Sequence, residues 1–253
     1  MAIWVYEIIV SLFNYVIICG VCTWYFTSTQ DSTGEFSLCK GLGWALRYNF
    51  GSLAFGSILV SLVWGAKMSF EWVAKKIDEP ENPLTRCLES CCRCCLDCFH
   101  RFIKFIDENA YIQIALTSDP FCTAAYSAFC LALKNSTTFM ITNGIGTMMR
   151  FLGRVSICLA NTFIGYLIIE NVSDLKEDID NPIVMLSIIF LISFTMSSVF
   201  MDVYAIVSLT MLQCLYVDID ICNQNREPDV LNNRYRPAEM QDIVETLSYK
   251  EAE

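Results

Sequence analysis

Four stretches of this chain are too long and too apolar to be ordinary core helices, and they limit its fold more than any other feature. They cover residues 3–26, 49–70, 151–169 and 182–216. About 20 apolar residues at ~1.5 Å rise per residue cross a hydrocarbon layer ~30 Å thick. The expected fold class is therefore all-α, a polytopic transmembrane helical protein. The fourth run would be roughly 50 Å long as a helix, more than one crossing needs. It is expected to span, then bend or continue as a cytoplasmic helix. No cleavable signal peptide is expected, because the first run is too long and no basic residue precedes it.

The composition agrees. Hydrophobic residues make up 55% of the 253 and charged residues only 17%, where soluble domains have about 25% charged. Mean hydropathy is +0.44. The net charge of −10 excludes a broad phosphate-neutralising face, so nucleic acid is not an expected partner. Membrane lipids are. After Val217, nine carboxylates accompany four basic residues, which reads as a solvated acidic tail.

Small residues recur along 49–70. Ser52 and Gly56 are four apart, as are Ser57, Ser61 and Gly65. That spacing lets a neighbouring helix approach backbone to backbone in lipid. A further apolar stretch, 111–133, is interrupted by Asp119-Pro120. Proline removes a backbone donor, so this piece is expected to be broken, re-entrant or interfacial.

Lys and Arg placement sets the topology. The tail carries Arg226, Arg234, Arg236 and Lys250 and is expected in the cytoplasm. The link 171–181 has Lys176 against five acidic residues counting from Glu170, and is expected outside. Lys134, Arg150 and Arg154 then lie on the cytoplasmic side. If 111–133 does not cross, so does the basic segment 71–108, with Lys75, Lys76, Arg86, Arg93, Arg101 and Lys104; if it crosses, that segment is outside. The positive-inside bias favours the first arrangement, with 71–108 in the cytoplasm. The expected organisation is two transmembrane helices in 1–70 and a Cys-rich amphipathic segment in 71–108. A re-entrant or interfacial segment follows in 109–150, then two transmembrane helices in 151–217 and the tail in 218–253.

Six of the fourteen cysteines, Cys87, Cys91, Cys92, Cys94, Cys95 and Cys98, fall within twelve residues. On a helix Cys87, Cys91, Cys94 and Cys98 share a face. Phe99, Phe102, Ile103 and Ile106 then form an apolar face flanked by Arg101 and Lys104, which suits a helix in the headgroup layer. Cys91, Cys92, Cys94, Cys95 and Cys98 are candidate lipidation sites by S-palmitoylation, with plain interfacial packing as the alternative. Zinc lacks a second well-spaced pair or a histidine group, so no metal is expected. Disulfides would need the segment outside. The only histidine, His100, follows Asp97-Cys98-Phe99, an order unlike a palmitoyltransferase core. With no Gly-rich phosphate loop and no His-Glu-x-x-His, neither an enzyme nor a cofactor is expected.

Polar groups inside the spans are few. Glu7, Ser11 and Asn14 share one face of the first helix, with Trp4 and Trp24 near its ends. A carboxylate within a span is a functional candidate, although Glu7 is near enough to the start to reach headgroups. Trp24 and Tyr25 fit either an aromatic belt or cation–π contacts to a quaternary ammonium. Glu7, Asn14, Trp24 and Tyr25 are the candidate substrate-binding residues. Asp202, deep in the last run, faces a cavity or marks where that helix leaves the bilayer. Of two N-glycosylation signals, Asn171-Val172-Ser173 and Asn135-Ser136-Thr137, only Asn171 falls on the expected outer side.

The stretch Arg47-Tyr48-Asn49-Phe50-Gly51-Ser52-Leu53-Ala54-Phe55-Gly56-Ser57 closely resembles the choline transporter-like family (solute carrier family 44). So do the Cys-rich block running into Phe102-Ile103-Lys104-Phe105, the stretch Asn109-Ala110-Tyr111-Ile112-Gln113-Ile114-Ala115, and Phe121-Cys122-Thr123-Ala124-Ala125-Tyr126-Ser127-Ala128-Phe129. Thr23-Trp24-Tyr25-Phe26 fits the Trp-Tyr pair that ends the preceding helix in those proteins. The blocks are in order and cover residues 1 to about 220.

The resemblance implies a multi-pass carrier of choline or a related small organic cation such as ethanolamine, in the plasma membrane rather than an organelle. Family members are longer, with roughly ten spans, so the chain is expected to correspond to their C-terminal part. Its expected partners then include N-terminal transmembrane segments or further copies of itself. One departure is local: where the family tends to have Val-Asp-Thr, this sequence has Ser208-Leu209-Thr210, and the acidic motif that follows is reduced to Asp218 and Asp220. The alternative function is a non-transporting membrane scaffold or partner protein derived from the same family.

Overall fold

A computed structural model describes residues 1–28, 34–76, 83–134, 136–171, 182–224 and Pro237; for 75–76, 83–88, 137–143, 220 and 222–224 only the backbone is described. The acidic tail beyond Gln224 apart from Pro237, the link 172–181, Asn135, and the side chains of Lys75, Lys76, Arg86 and Cys87 thus lie outside the described parts. Every element among the described residues is helical. In order these are α1 (Ala2–Thr27), α2 (Leu38–Trp44), a π-helical turn (Ala45–Asn49), α3 (Phe50–Lys76), α4 (Pro83–Thr117), α5 (Phe121–Lys134), α6 (Ser136–Asn171) and α7 (Pro182–Gln224).

Among the described residues, four segments are long and apolar enough to cross a membrane: Ala2–Thr27, Leu38–Ala74, Gly144–Asn171 and Pro182–Ile219. They contain the four runs read from the sequence. α7 does not stop where one crossing would end; it continues as helix to Gln224. α4 runs as one helix through 108/109, and α6 as one helix through 150/151.

Local chemistry sets the helix ends. Ser37 caps α2 by accepting the Lys40 N–H at 3.4 Å. Pro182 opens α7 at the first helical position, where its missing N–H removes nothing from the ladder. α4 ends at Asp119-Pro120 because the proline ring disfavours helical backbone in the residue before it. Ser118 there takes a left-handed φ of 59°, and α5 restarts with the Ala124 N–H on the Pro120 carbonyl at 3.0 Å. The 14-residue α5, about 21 Å long, folds back on α4, with the Phe102 and Phe129 rings edge to face at 6.5 Å.

The chain forms two compact units, Met1–Lys134 with Thr210–Glu253, and Asn135–Leu209. In the first, α3 and α4 run antiparallel. Lys67 Nζ meets Asp97 Oδ1 at 2.7 Å near one end, and the Tyr111 hydroxyl reaches the Leu53 carbonyl at 3.3 Å towards the other. α1 packs across both. The core is Tyr15, Ile18, Tyr25, Leu53, Tyr111, Ile112, Ile114 and Leu215, all nearly inaccessible.

In the second unit α6 lies against the first part of α7. Gly153 faces Met201 and Gly165 faces Ile189, the close approach that small residues permit in lipid. Outward, Phe151, Phe163 and Phe200 are 67%, 62% and 72% exposed. Such surface is a liability in water and ordinary where acyl chains are the solvent.

Candidate functional site

Polar side chains collect in the first unit, in two groups held by the same helices. The first group begins on α1. Ser11 Oγ lies 3.0 Å from Ser57 Oγ of α3, and the Tyr111 hydroxyl of α4 donates to Ser11 at 3.0 Å. Ser57 also donates to the Leu53 carbonyl at 2.8 Å. One helical turn along α1, Tyr15 accepts from Asn49 Nδ2 at 2.8 Å. Asn49 closes the π-helical turn, the wider i→i+5 winding that often marks a functional position.

Asp107 sits beside this group, 7% exposed, and its Oδ1 has no hydrogen-bond partner among the described residues. Gly56 makes room for it: a Cβ there would collide with the Asp107 carboxylate, the Tyr111 hydroxyl and the Phe121 ring. Asp107 is on the amphipathic α4, outside the four spans. Burial pushes its carboxyl up to about 7. The nearby Tyr111 hydroxyl and Lys104 pull it down, while Glu108 and Glu7 push it further up. Tyr111 is itself raised, first by burial and then by the Asp107 charge.

The second group joins α4 to the end of α7. Gln113 donates to Gln213 at 3.3 Å, and Gln213 donates to Asn109. Close by, Cys22 and Cys214 have their sulfurs 3.7 Å apart, and the Tyr25 hydroxyl donates to Asp218 Oδ2 at 3.4 Å. The amides satisfy one another, as buried polar groups must.

The four candidate substrate-binding residues fall into two places. Glu7 is half-buried and close enough to influence Asp107. Asn14 is half-buried two turns further on. Trp24 is half-buried, and Tyr25 is fully buried against Asp218. Glu7 and Tyr25 are on one helix, about 27 Å apart along its axis, so one small ligand does not touch both. Cys91, Cys92, Cys94, Cys95 and Cys98 are all exposed. Among the described residues no group of three or more metal-ligating side chains converges. Asn171 ends α6, exposed, with its amide donated to the Leu167 carbonyl at 2.9 Å. Asp202 pairs with Arg154, whose Nε is buried without a partner among the described residues.

Asp107, Asn109, Tyr111 and Gln113 were not singled out from the sequence. The available signal was two polar pairs, 107/111 and 109/113, each spaced i, i+4 so that it shares a helix face.

Four spans, and a polar, partly acidic interior in the first unit, define a multi-pass helical membrane protein. Comparison with known proteins places it further. The family described as plasma-membrane choline transporter matches residues 1–220, and the chain belongs to that family. It is 32% identical over 224 residues to choline transporter-like protein 2 of Dictyostelium discoideum, covering 88% of this chain and 34% of that protein. Against choline transporter-like protein 1 of Mus musculus it is 27% identical, covering 85% and 32%. Against choline transporter-like protein 2 of Danio rerio it is 37% identical over 134 residues, covering 53% and 19%. The chain thus spans about a third or less of the length of these curated relatives.

Proposed function

We propose that this protein takes part in moving choline, or a closely related small organic cation, across the plasma membrane. The observation that carries the reading is the family match over residues 1–220. The buried interior of the first unit supports it chemically. A quaternary ammonium cannot donate hydrogen bonds through its nitrogen, so carboxylates and aromatic faces recognise it. Glu7 with Asp107 supplies the charge, and Trp24 and Tyr25 supply rings near the other end of α1. In this reading α1 forms one wall of the route, with Asn14 between the two places. Choline and membrane lipid are its partners, and no cofactor takes part.

A chimera tests this. The matched segment of the full-length Dictyostelium relative is replaced by residues 1–220 of this chain and expressed in cells lacking choline uptake. Radiolabelled choline entry above the empty-vector level is the expected result, with the unaltered relative as positive control. A chimera that reaches the surface and carries neither choline nor ethanolamine overturns the proposal and leaves the non-transporting scaffold reading.

A further inference from the structure

α4 carries a second feature that the carrier reading does not use. At about 100° per residue, Cys91, Cys95, Cys98 and Phe102 line up at i, i+4, i+7 and i+11 on one face. Cys94 and Phe99 flank that row on either side, and Cys92 lies at its margin. All of these cysteines are exposed; Phe99 is 51% and Phe102 45% exposed. The opposite face holds Asp97 and Asp107, which face α3. The thiols of 91–98 therefore lie on the side of α4 turned away from α3, and only further along the same row does Phe102 meet Phe129 of α5.

The Asp97–Lys67 pair fixes where along the span these thiols sit. Lys67 and Glu71 are at the charged end of α3, and Asp97 is held low in its titration chiefly by the Lys67 hydrogen bond. Cys91–Cys98 thus lie beside the polar edge of a membrane-crossing helix. From there α4 runs antiparallel along α3, taking Phe99 and then Phe102 towards the apolar part of that helix. A chain of methylenes starting at a thiol in this row runs past the half-exposed Phe99 and alongside the Phe102–Phe129 contact towards the apolar part of α3.

We propose that Cys91, Cys95 and Cys98 form an S-acylation site that takes a long-chain fatty acyl group. A cysteine thiolate attacks the carbonyl carbon of a long-chain acyl-CoA thioester, the new C–S bond forms, and the CoA–S bond breaks. The proton given up by the cysteine ends on the departing CoA thiolate, and no redox partner is involved. Each acyl chain adds membrane affinity with every methylene it buries, pinning this end of α4 to the bilayer edge. The proposal is independent of what the protein transports.

The test is metabolic labelling of the full chain in cells with an alkyne analogue of palmitate, followed by click detection and hydroxylamine release. The parent is expected to label, to lose the label in neutral hydroxylamine, and to yield labelled peptides containing Cys91, Cys95 or Cys98. The triple variant C91S/C95S/C98S is expected to fall at least about five-fold in label per membrane-inserted molecule. The control C122S/C130S, which alters exposed thiols of α5, is expected to label like the parent. An unlabelled parent, label that survives in the triple variant, or peptides mapping only to Cys122 or Cys130 overturns the proposal. Peptide mapping is done on the parent, so the assignment of the acylated thiols does not depend on how the variant folds. A zinc or disulfide role for these cysteines appears as an unlabelled parent.

Discussion

Gly56 offers the sharpest test of the packing that builds the polar interior. Alanine there would place a methyl group against the Asp107 carboxylate, the Tyr111 hydroxyl and the Phe121 ring. At Gly51 and Gly65 of the same helix nothing lies within 4 Å of the added carbon. All three substitutions gain about 1 kcal/mol from helix propensity. Only Gly56→Ala also meets the overpacking cost of about 1–3 kcal/mol typical of a full interior. The gap between Gly56→Ala and Gly65→Ala is therefore that same cost of about 1–3 kcal/mol. For a chain of this size 1 kcal/mol moves the melting temperature by about 2–4 °C, so the two variants should differ by about 2–12 °C in detergent. Thermal unfolding followed by tryptophan fluorescence measures it. Equal shifts for Gly56→Ala and Gly65→Ala would show that α3, α4 and α5 do not meet at Gly56, and the Asp107 site would go with them.

Further outcomes follow from the same geometry. With Asp107 raised from 3.8 to about 7, the folded state holds one more proton than the unfolded state between those values. Stability from this group is then greatest at low pH and falls by about 1.4 kcal/mol per pH unit as pH rises towards 7. Asp107→Asn should gain on the parent over pH 5–7 and level off above; a pH-independent gap in melting temperature would refute the assignment. Tyr15→Phe leaves the Asn49 amide without its buried acceptor and should cost about 1–3 kcal/mol, whereas Tyr48→Phe, at an exposed ring, should change little. In the second unit, Arg154→Met or Asp202→Leu alone strands a charge within a span. The double variant should recover folded yield in membranes beyond either single one, and additive losses would show that the pair is not coupled.

The spans were legible because their signal is local. Apolar length sufficed for Ala2–Thr27 and Gly144–Asn171, and the break at Asp119-Pro120 follows from proline sterics alone. Residues of similar character were harder to tell apart. Ser52, Gly56, Ser57, Ser61 and Gly65 all read as helix-packing positions. Gly56 takes the close approach of α4 and α5, Ser57 bonds Ser11, and Gly65 faces open space. Tyr25 reads from the sequence as a belt or ligand-binding aromatic, and the structure adds what no local window shows, a buried hydrogen bond to Asp218.

What the sequence by itself determined is the class of molecule, an all-helical membrane protein of the plasma-membrane choline transporter family. Hydropathy, helix breakers and family motifs are properties of short stretches, and they survive being read one window at a time. What only the tertiary structure decided is which polar groups share an interior. Ser11 meets Ser57 across 46 residues of chain and Tyr111 across 100, and Asn109 meets Gln213 across 104. Such pairings depend on how whole helices rotate and slide against one another. Asp107 is unusual only because Gly56 of another helix leaves space for it and burial there raises its proton affinity.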